Sequence, residues 1–120
     1  MRKAARVFLA NAVAAAHGSS SADFRVSSTY NRLSNCQIPL ETKLPQTPSE
    51  LGAARTLTLK ACRYAYVGVN KYIKGWNKFS LQGYASEESE RPVRAGIALV
   101  KKAVKSLRRA ERLVTKASAS

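Results

Sequence analysis

The chain has 120 residues, the size of one domain, and its 21 Lys and Arg face only seven Asp and Glu, so the formal net charge is +14. Such an excess attracts polyanions: nucleic acid, an anionic membrane surface or an acidic protein. A hydrophobic fraction of 45% excludes a purely disordered basic tail. Two cysteines, Cys36 and Cys62, are too few for a disulfide framework or a four-ligand zinc site. We expect both to be reduced, with a single disulfide between them as the less favoured alternative.

Residues 1–17 are rich in Ala and basic, with Arg2, Lys3 and Arg6 and no acid before Asp23. This composition is typical of a mitochondrial or plastid transit peptide and also of an ordinary short helix. We expect a basic N-terminal helix that is retained uncleaved if it directs import. The expected location is mitochondrial, otherwise another intracellular reducing compartment. The longest uncharged run, residues 7–22, is too short and too polar to span a membrane.

Residues 18–46 lack a sustained hydrophobic period and contain Pro39 and Pro45. Ser, Thr and Asn are frequent there, which is typical of irregular structure. The sequence predicts an extended, irregular segment, with a short strand or turn near residues 24–28.

A long helix is predicted over residues 48–79. Thr47 suits the N-cap position, Pro48 the first helical position, and Glu50 can complete a capping box. Large apolar residues then follow at spacings of three and four, which predicts a core-facing seam: Leu59, Cys62, Tyr66, Val69, Ile73 and Trp76.

A second long helix is predicted over residues 91–116, opening on Arg91 and Pro92 directly after an acidic stretch at 87–90. Its apolar seam comprises Val93, Ile97, Val100, Val104 and Leu107. Residues 47–120 are therefore predicted to form an antiparallel hairpin of two amphipathic helices across a loop of about a dozen residues, in a mostly α fold.

Small residues recur every seven positions on the first helix, at Ala61, Gly68 and Gly75. Such a line permits close approach by a backbone or by a flat ring. Tight helix–helix packing is the favoured interpretation.

Cations cluster on the side of each helix away from its seam. The candidate polyanion-binding or RNA-binding residues are Lys60, Arg63, Lys71, Lys74, Lys78, Lys101, Lys105, Arg108, Arg112 and Lys116. Because a merely solvated face normally mixes Glu with Lys, the one-sided sign favours a polyanion contact. Tyr64, Tyr72 and Tyr84 are candidates for stacking on bases, with packing against the N-terminal segment as an equal alternative.

Catalytic patterns are missing from the sequence. The single histidine, His17, has no triad spacing around it, and no glycine-rich phosphate-binding loop occurs. We expect no enzymatic activity, no cofactor and no metal site.

These features favour a non-catalytic small basic subunit of a large, mitochondrial assembly, foremost an organellar ribosomal protein that contacts ribosomal RNA and neighbouring protein subunits. The alternative is an accessory subunit of a respiratory-chain or ATP synthase complex, whose basic faces meet acidic neighbours or anionic lipid head groups. A DNA-binding helical protein is a third hypothesis.

Overall fold

The computed structural model describes residues 1–34 and 52–119, with side chains up to residue 116. These residues form helices α1 (Arg2–Ala16), α2 (Ser20–Ser27), α3 (Tyr30–Ser34), α4 (Gly52–Gln82) and α5 (Glu87–Ala119), and no strand occurs among them. The predicted mostly α fold, with its hairpin of two long helices and a short N-terminal helix, is confirmed. The predicted capping box at residues 47–50 lies outside the described residues.

The connection between α4 and α5 is shorter than predicted. Only residues 83–86 separate the helices, and Gly83 makes the turn with a φ of 77°. Ser86 and Ser89 cap α5 reciprocally: each hydroxyl oxygen accepts the backbone N–H of the other residue, at 3.3 and 2.9 Å. The predicted start at residue 91 was wrong, because the capped helix begins at Glu87 and takes the acidic stretch into its first turn.

Two lines of small residues bring α4 and α5 together. Both lines repeat every seventh residue and are buried: Ala54, Ala61, Gly68 and Gly75 on α4, and Ser89, Gly96, Ala103 and Ala110 on α5. The backbones touch where they meet, because a Cβ on Gly68 would lie 2.8 Å from the carbonyl oxygen of Gly96. The predicted tight helix–helix packing is confirmed, and its partner line on α5 is an addition to the prediction.

The apolar seam predicted for α4 is confirmed in part. Cys62 and Val69 are buried, and Ile73 and Trp76 pack against the core, but Leu59 is only partly buried and Tyr66 is 51% exposed. The buried face is centred about 85° around the helix from the predicted seam, between that seam and the small-residue line. The seam predicted for α5 is confirmed, since each of its members is buried or packs against the core.

Helix α1 packs along one side of the hairpin as a third, shorter helix. Phe8 is fully buried and meets the Tyr72 ring edge-on with centroids 4.9 Å apart. Ion pairs tie both ends of α1 to α5: Arg2 pairs with Glu111, and His17 Nε2 lies 2.9 Å from a Glu90 carboxylate oxygen. Helix α1 is therefore antiparallel to α5 and contributes to the core.

Residues 20–34 are helical, which contradicts the extended segment predicted for 18–46 and its strand or turn near residue 24. After Gly18, with a φ of 97°, Ser19 caps α2 by accepting the Ala22 N–H at 3.3 Å. Ala22, Val26, Thr29 and Leu33 are all buried, at helical spacings. Residues 35–46 lie outside the described residues.

Cys62 is buried, 3.5 Å from the Met1 sulfur, and is disulfide-bonded. The expectation of two reduced cysteines was therefore wrong for Cys62, and Cys36 lies outside the described residues. None of the five helices is both long and apolar enough to cross a membrane.

Candidate polyanion-binding groove

A basic groove runs between α4 and α5 on the side of the hairpin that α1 does not occupy. It has a volume of about 560 Å³ and is lined by Lys60 and Tyr64 from α4, and by Lys102, Lys105, Ser106, Arg108, Arg109 and Arg112 from α5. Six of these eight residues are cationic and none is acidic. Tyr64 lies about 80° around α4 from Tyr72. Tyr72 packs against α1, so the two tyrosines belong to different faces of α4.

Tyr64 is the aromatic residue of this groove. Its side chain is partly buried and packs against the core, so the ring is held in place by its neighbours. The Lys60 ammonium lies 5.8 Å from the ring centroid, within the range of a cation–π interaction. The groove therefore contains a π surface and cations next to one another.

The groove continues toward the C-terminal end of α5. There Leu57 of α4 faces Arg109, Arg112, Leu113 and Lys116. The cationic surface on α5 thus extends from Lys102 to Lys116, roughly 20 Å along the helix axis.

Acids of the described residues lie elsewhere and are mostly paired. Glu87 bonds Arg94 at 2.8 Å, and Glu88 contacts Lys78 at 3.1 Å. Glu90 and Glu111 hold α1, as described above. None of these carboxylates lines the groove, and only Glu111 lies beside it, in an adjoining depression that it shares with Arg108 and Arg112. The groove therefore keeps a net positive charge.

The structure brings together part of the predicted site. Lys60, Lys105, Arg108 and Arg112 line the groove with Tyr64, and Lys116 lies at its extension.

The other predicted cations lie apart from the groove. Lys71 and Lys74 belong to a different face of α4, beside Tyr66. Lys78 is paired with Glu88, while Arg63 and Lys101 are exposed but line none of this groove.

Tyr72 cannot stack on a base as predicted, because it is fully buried and its hydroxyl donates to the Ala12 carbonyl oxygen at 2.8 Å. Tyr84 is 61% exposed but belongs to the turn after α4, outside the groove. Of the three tyrosines, Tyr64 alone is placed among the cations of the groove.

Lys102 and Arg109 were missing from the predicted site, although they line the groove. They lie seven residues apart, on the edge of α5 nearest α4. The line Ser89, Gly96, Ala103 and Ala110 marks the face of α5 that contacts α4. This line is the sequence signal from which the positions of Lys102 and Arg109 beside α4 could have been predicted.

Two tyrosines of the core have altered acidity. Burial, with a smaller contribution from the negative charge of Asp23, raises the pKa of Tyr30 to about 12. Burial raises the pKa of Tyr72 further, with smaller contributions from Tyr30 and Asp23. Tyr72 packs between α4 and α1, Tyr30 belongs to α3, and neither phenol lines the groove.

No three His, Cys, Asp or Glu side chains of the described residues lie close enough together to hold a metal ion. Comparisons of the chain with known protein families, curated proteins and solved structures return no match.

Proposed function

We propose that this chain is a non-catalytic structural subunit of a ribonucleoprotein, namely an organellar ribosome, and that it binds RNA through the groove between α4 and α5. The observation that carries this proposal is the groove itself, with six cations, one aromatic ring and no acid among its lining residues. Lys and Arg hold phosphates, and an aromatic ring offers a surface to bases.

A lipid surface fits this groove less well than RNA does. Helices that lie on membranes insert a wide apolar face beside their cations. The apolar face of α5, with Val93, Val100 and Leu107, is instead buried in the hairpin. The helix α5 therefore has cations available to bind a polyanion but no exposed apolar face that could insert into lipid.

The proposed location is the mitochondrion, on the composition of residues 1–17 alone. Because Phe8 is fully buried in the core, the folded protein requires that α1 be retained after import. Under this proposal the N-terminal helix is both the targeting signal and a structural element of the fold.

Salt dependence of RNA binding tests the proposal. Six phosphate contacts on single-stranded RNA give a slope of about −4 in a plot of log K against log salt, a loss of roughly 300-fold between 50 and 200 mM salt. Fluorescence anisotropy with labelled RNA measures this slope.

The double variant K102E/R109E should bind RNA at least 10-fold more weakly than the wild type, with a shallower slope. The charge-matched variant K3E/R6E, with both changes on exposed positions of α1, should bind much more like the wild type.

Equal weakening by both double variants would show that net charge alone attracts the RNA and would contradict a role for the groove. A wild-type affinity that is insensitive to salt would contradict phosphate binding altogether.

The alternative, an accessory subunit of a respiratory-chain or ATP synthase complex, is favoured by one observation. Tyr66 is 51% exposed on α4, beside the partly buried Ile73, and offers a surface to another protein. Sedimentation of native complexes separates the two proposals, because a ribosomal subunit migrates with ribosomal particles and an accessory subunit with detergent-extracted membrane complexes.

A further inference from the structure

We infer that the groove accepts a single-stranded stretch of RNA, with one base stacked on Tyr64 and the flanking phosphates held by the cations of both helices. This inference rests on the proposed RNA-binding function and specifies the form of RNA that the site takes.

The cations stand on both sides of the ring. Lys60 comes from α4, whereas Lys102 and Arg109 come from α5, and Tyr64 lies among them in the same groove. A single strand laid along the groove can place its phosphates near both helices and turn an unpaired base toward the ring. A duplex presents its phosphates outside and keeps its bases paired, so it uses the cations but not the tyrosine.

The groove cannot be deep, because its two walls come from helices in backbone contact. Toward the hairpin turn, a Cβ on Gly96 would lie 2.8 Å from the backbone nitrogen of Tyr72, so nothing larger than hydrogen fits between the helices there. Beside the groove residues themselves, Ala61 and Ala103 are fully buried. Ser106, beside the groove on α5, is 9% exposed and belongs to its floor. A shallow floor suits a flat base lying against a ring better than a long side chain inserted end-on.

Tyr64 differs from the other aromatic residues in its surroundings. Phe8 and Tyr72 are fully buried, so no ligand reaches their rings. Tyr66 is more exposed than Tyr64 but has Asn70, Ile73 and Asn77 around it as well as two lysines. Tyr64 combines a partly exposed ring, fixed by packing, with a surround of cations.

The test compares Y64L, Y64F and Y66L with the wild type. Each protein is titrated with a labelled unstructured RNA and with a perfect duplex of the same length, at several salt concentrations. We expect the wild type to prefer the single strand. Loss of one stacked base should weaken Y64L between about 5-fold and 100-fold on the single strand, with little change on the duplex.

The salt slope adds a second readout. Stacking releases no counterions, so the slope for Y64L should equal that of the wild type, whereas K102E/R109E flattens it. Y64F keeps the ring and should bind nearly as tightly as the wild type. Y66L, two residues away on another face, should bind unchanged. Thermal melting of each variant shows whether its fold is intact.

Two results overturn the inference while leaving RNA binding in place: a wild type that binds duplex as tightly as the single strand, or a folded Y64L that binds the single strand as the wild type does. Absence of salt-sensitive RNA binding by the wild type would overturn the proposed function and this inference with it.

Discussion

Gly68 and Gly96 lie where the backbones of α4 and α5 touch, and each occupies a place where a methyl group would meet the opposing backbone. Helical glycine ordinarily costs about 1 kcal/mol relative to alanine. At these two positions the packing of the rest of the interface, which the close approach permits, offsets that cost.

Gly96→Ala is expected to destabilise the protein by about 1–3 kcal/mol through overpacking, since backbone atoms cannot move aside as a flexible side chain can. Urea unfolding measures the change in free energy. Gly52→Ala is the control, because its Cβ would meet nothing within 4 Å, and alanine there should leave stability equal or slightly higher. Equal effects of the two changes would show that the glycine contact is not needed.

Tyr72→Phe removes the hydroxyl that donates to Ala12 and should cost about 0.5–1.5 kcal/mol at neutral pH. Because burial raises the pKa of Tyr72 in the folded state, the fold favours the protonated phenol. This contribution is present below pH 10 and is lost as the pH rises above it. The wild type should therefore lose more unfolding free energy than Tyr72→Phe between pH 8 and pH 11.

Urea unfolding at the two pH values measures this difference, and comparison of variant with wild type cancels the general effect of lysine deprotonation. Tyr84→Phe, changed at a 61% exposed ring, should follow the wild type at both pH values. A Tyr72→Phe protein with the same alkaline loss as the wild type would contradict the role of this phenol.

At the level of the helices, α1 is the third member of a bundle and does not merely lie on its surface. Its buried face consists of Phe8 and five alanines, Ala4, Ala5, Ala12, Ala15 and Ala16. Most of the apolar area that such a face buries belongs to its one large ring, here Phe8. Docking of the helix should thus depend strongly on that ring.

Phe8→Ala is expected to cost about 3–5 kcal/mol by leaving a cavity beside Tyr72. Val13→Ala, at a 55% exposed position of the same helix, should change stability by less than about 0.5 kcal/mol. Chemical denaturation with circular dichroism measures both. A small effect of Phe8→Ala would mean that α1 contributes little to the core.

The second long helix could be predicted well from the sequence because its core residues are large and follow helical spacing, as Val93, Val100 and Leu107 do. The first helix and its line of small residues could also be predicted, but the centre of its buried face could not, because Ala and Gly carry little weight in a hydrophobic pattern. Tyr66 was assigned to the core on spacing alone, yet Tyr72 is the ring that is buried.

The visibility of the contact face in the sequence also decides which part of the groove was predictable. Lys60, Lys105, Arg108 and Arg112 could be found from charge on the side away from a seam. Lys102 and Arg109 required the true contact face of α5. Helices α2 and α3 were missed because they are short, with eight and five residues, and hold few large apolar residues. The 4-3-4 spacing of Ala22, Val26, Thr29 and Leu33 carried the signal.

For the molecule as a whole, the net charge of +14 acts against the folded state. Like charges on a small body repel, and salt screens this repulsion over a Debye length of about 10 Å at 0.1 M. If the protein binds RNA as proposed, the stability of the isolated protein and its affinity for RNA should therefore respond to salt in opposite directions.

The melting temperature of the isolated protein is expected to rise between 20 and 200 mM salt, as measured by thermal denaturation. K102E/R109E and K3E/R6E both lower the net charge by four, so both should melt higher than the wild type at low salt and gain less from added salt. A melting temperature that falls with salt would show that the surface ion pairs, such as Lys78 with Glu88, outweigh the general repulsion.

The reciprocal serine cap places three acids in the first turn of α5, at the hairpin turn, where cations largely neutralise them. The unneutralised charge lies toward the opposite end of the same 33-residue helix, roughly 50 Å long. The centre of charge is thus displaced from the centre of mass of the described residues, so the field of a polyanion would exert a torque on the molecule. Under the proposed function the protein would approach its partner with the groove first, and the turn between α4 and α5 would face away from the partner in the complex.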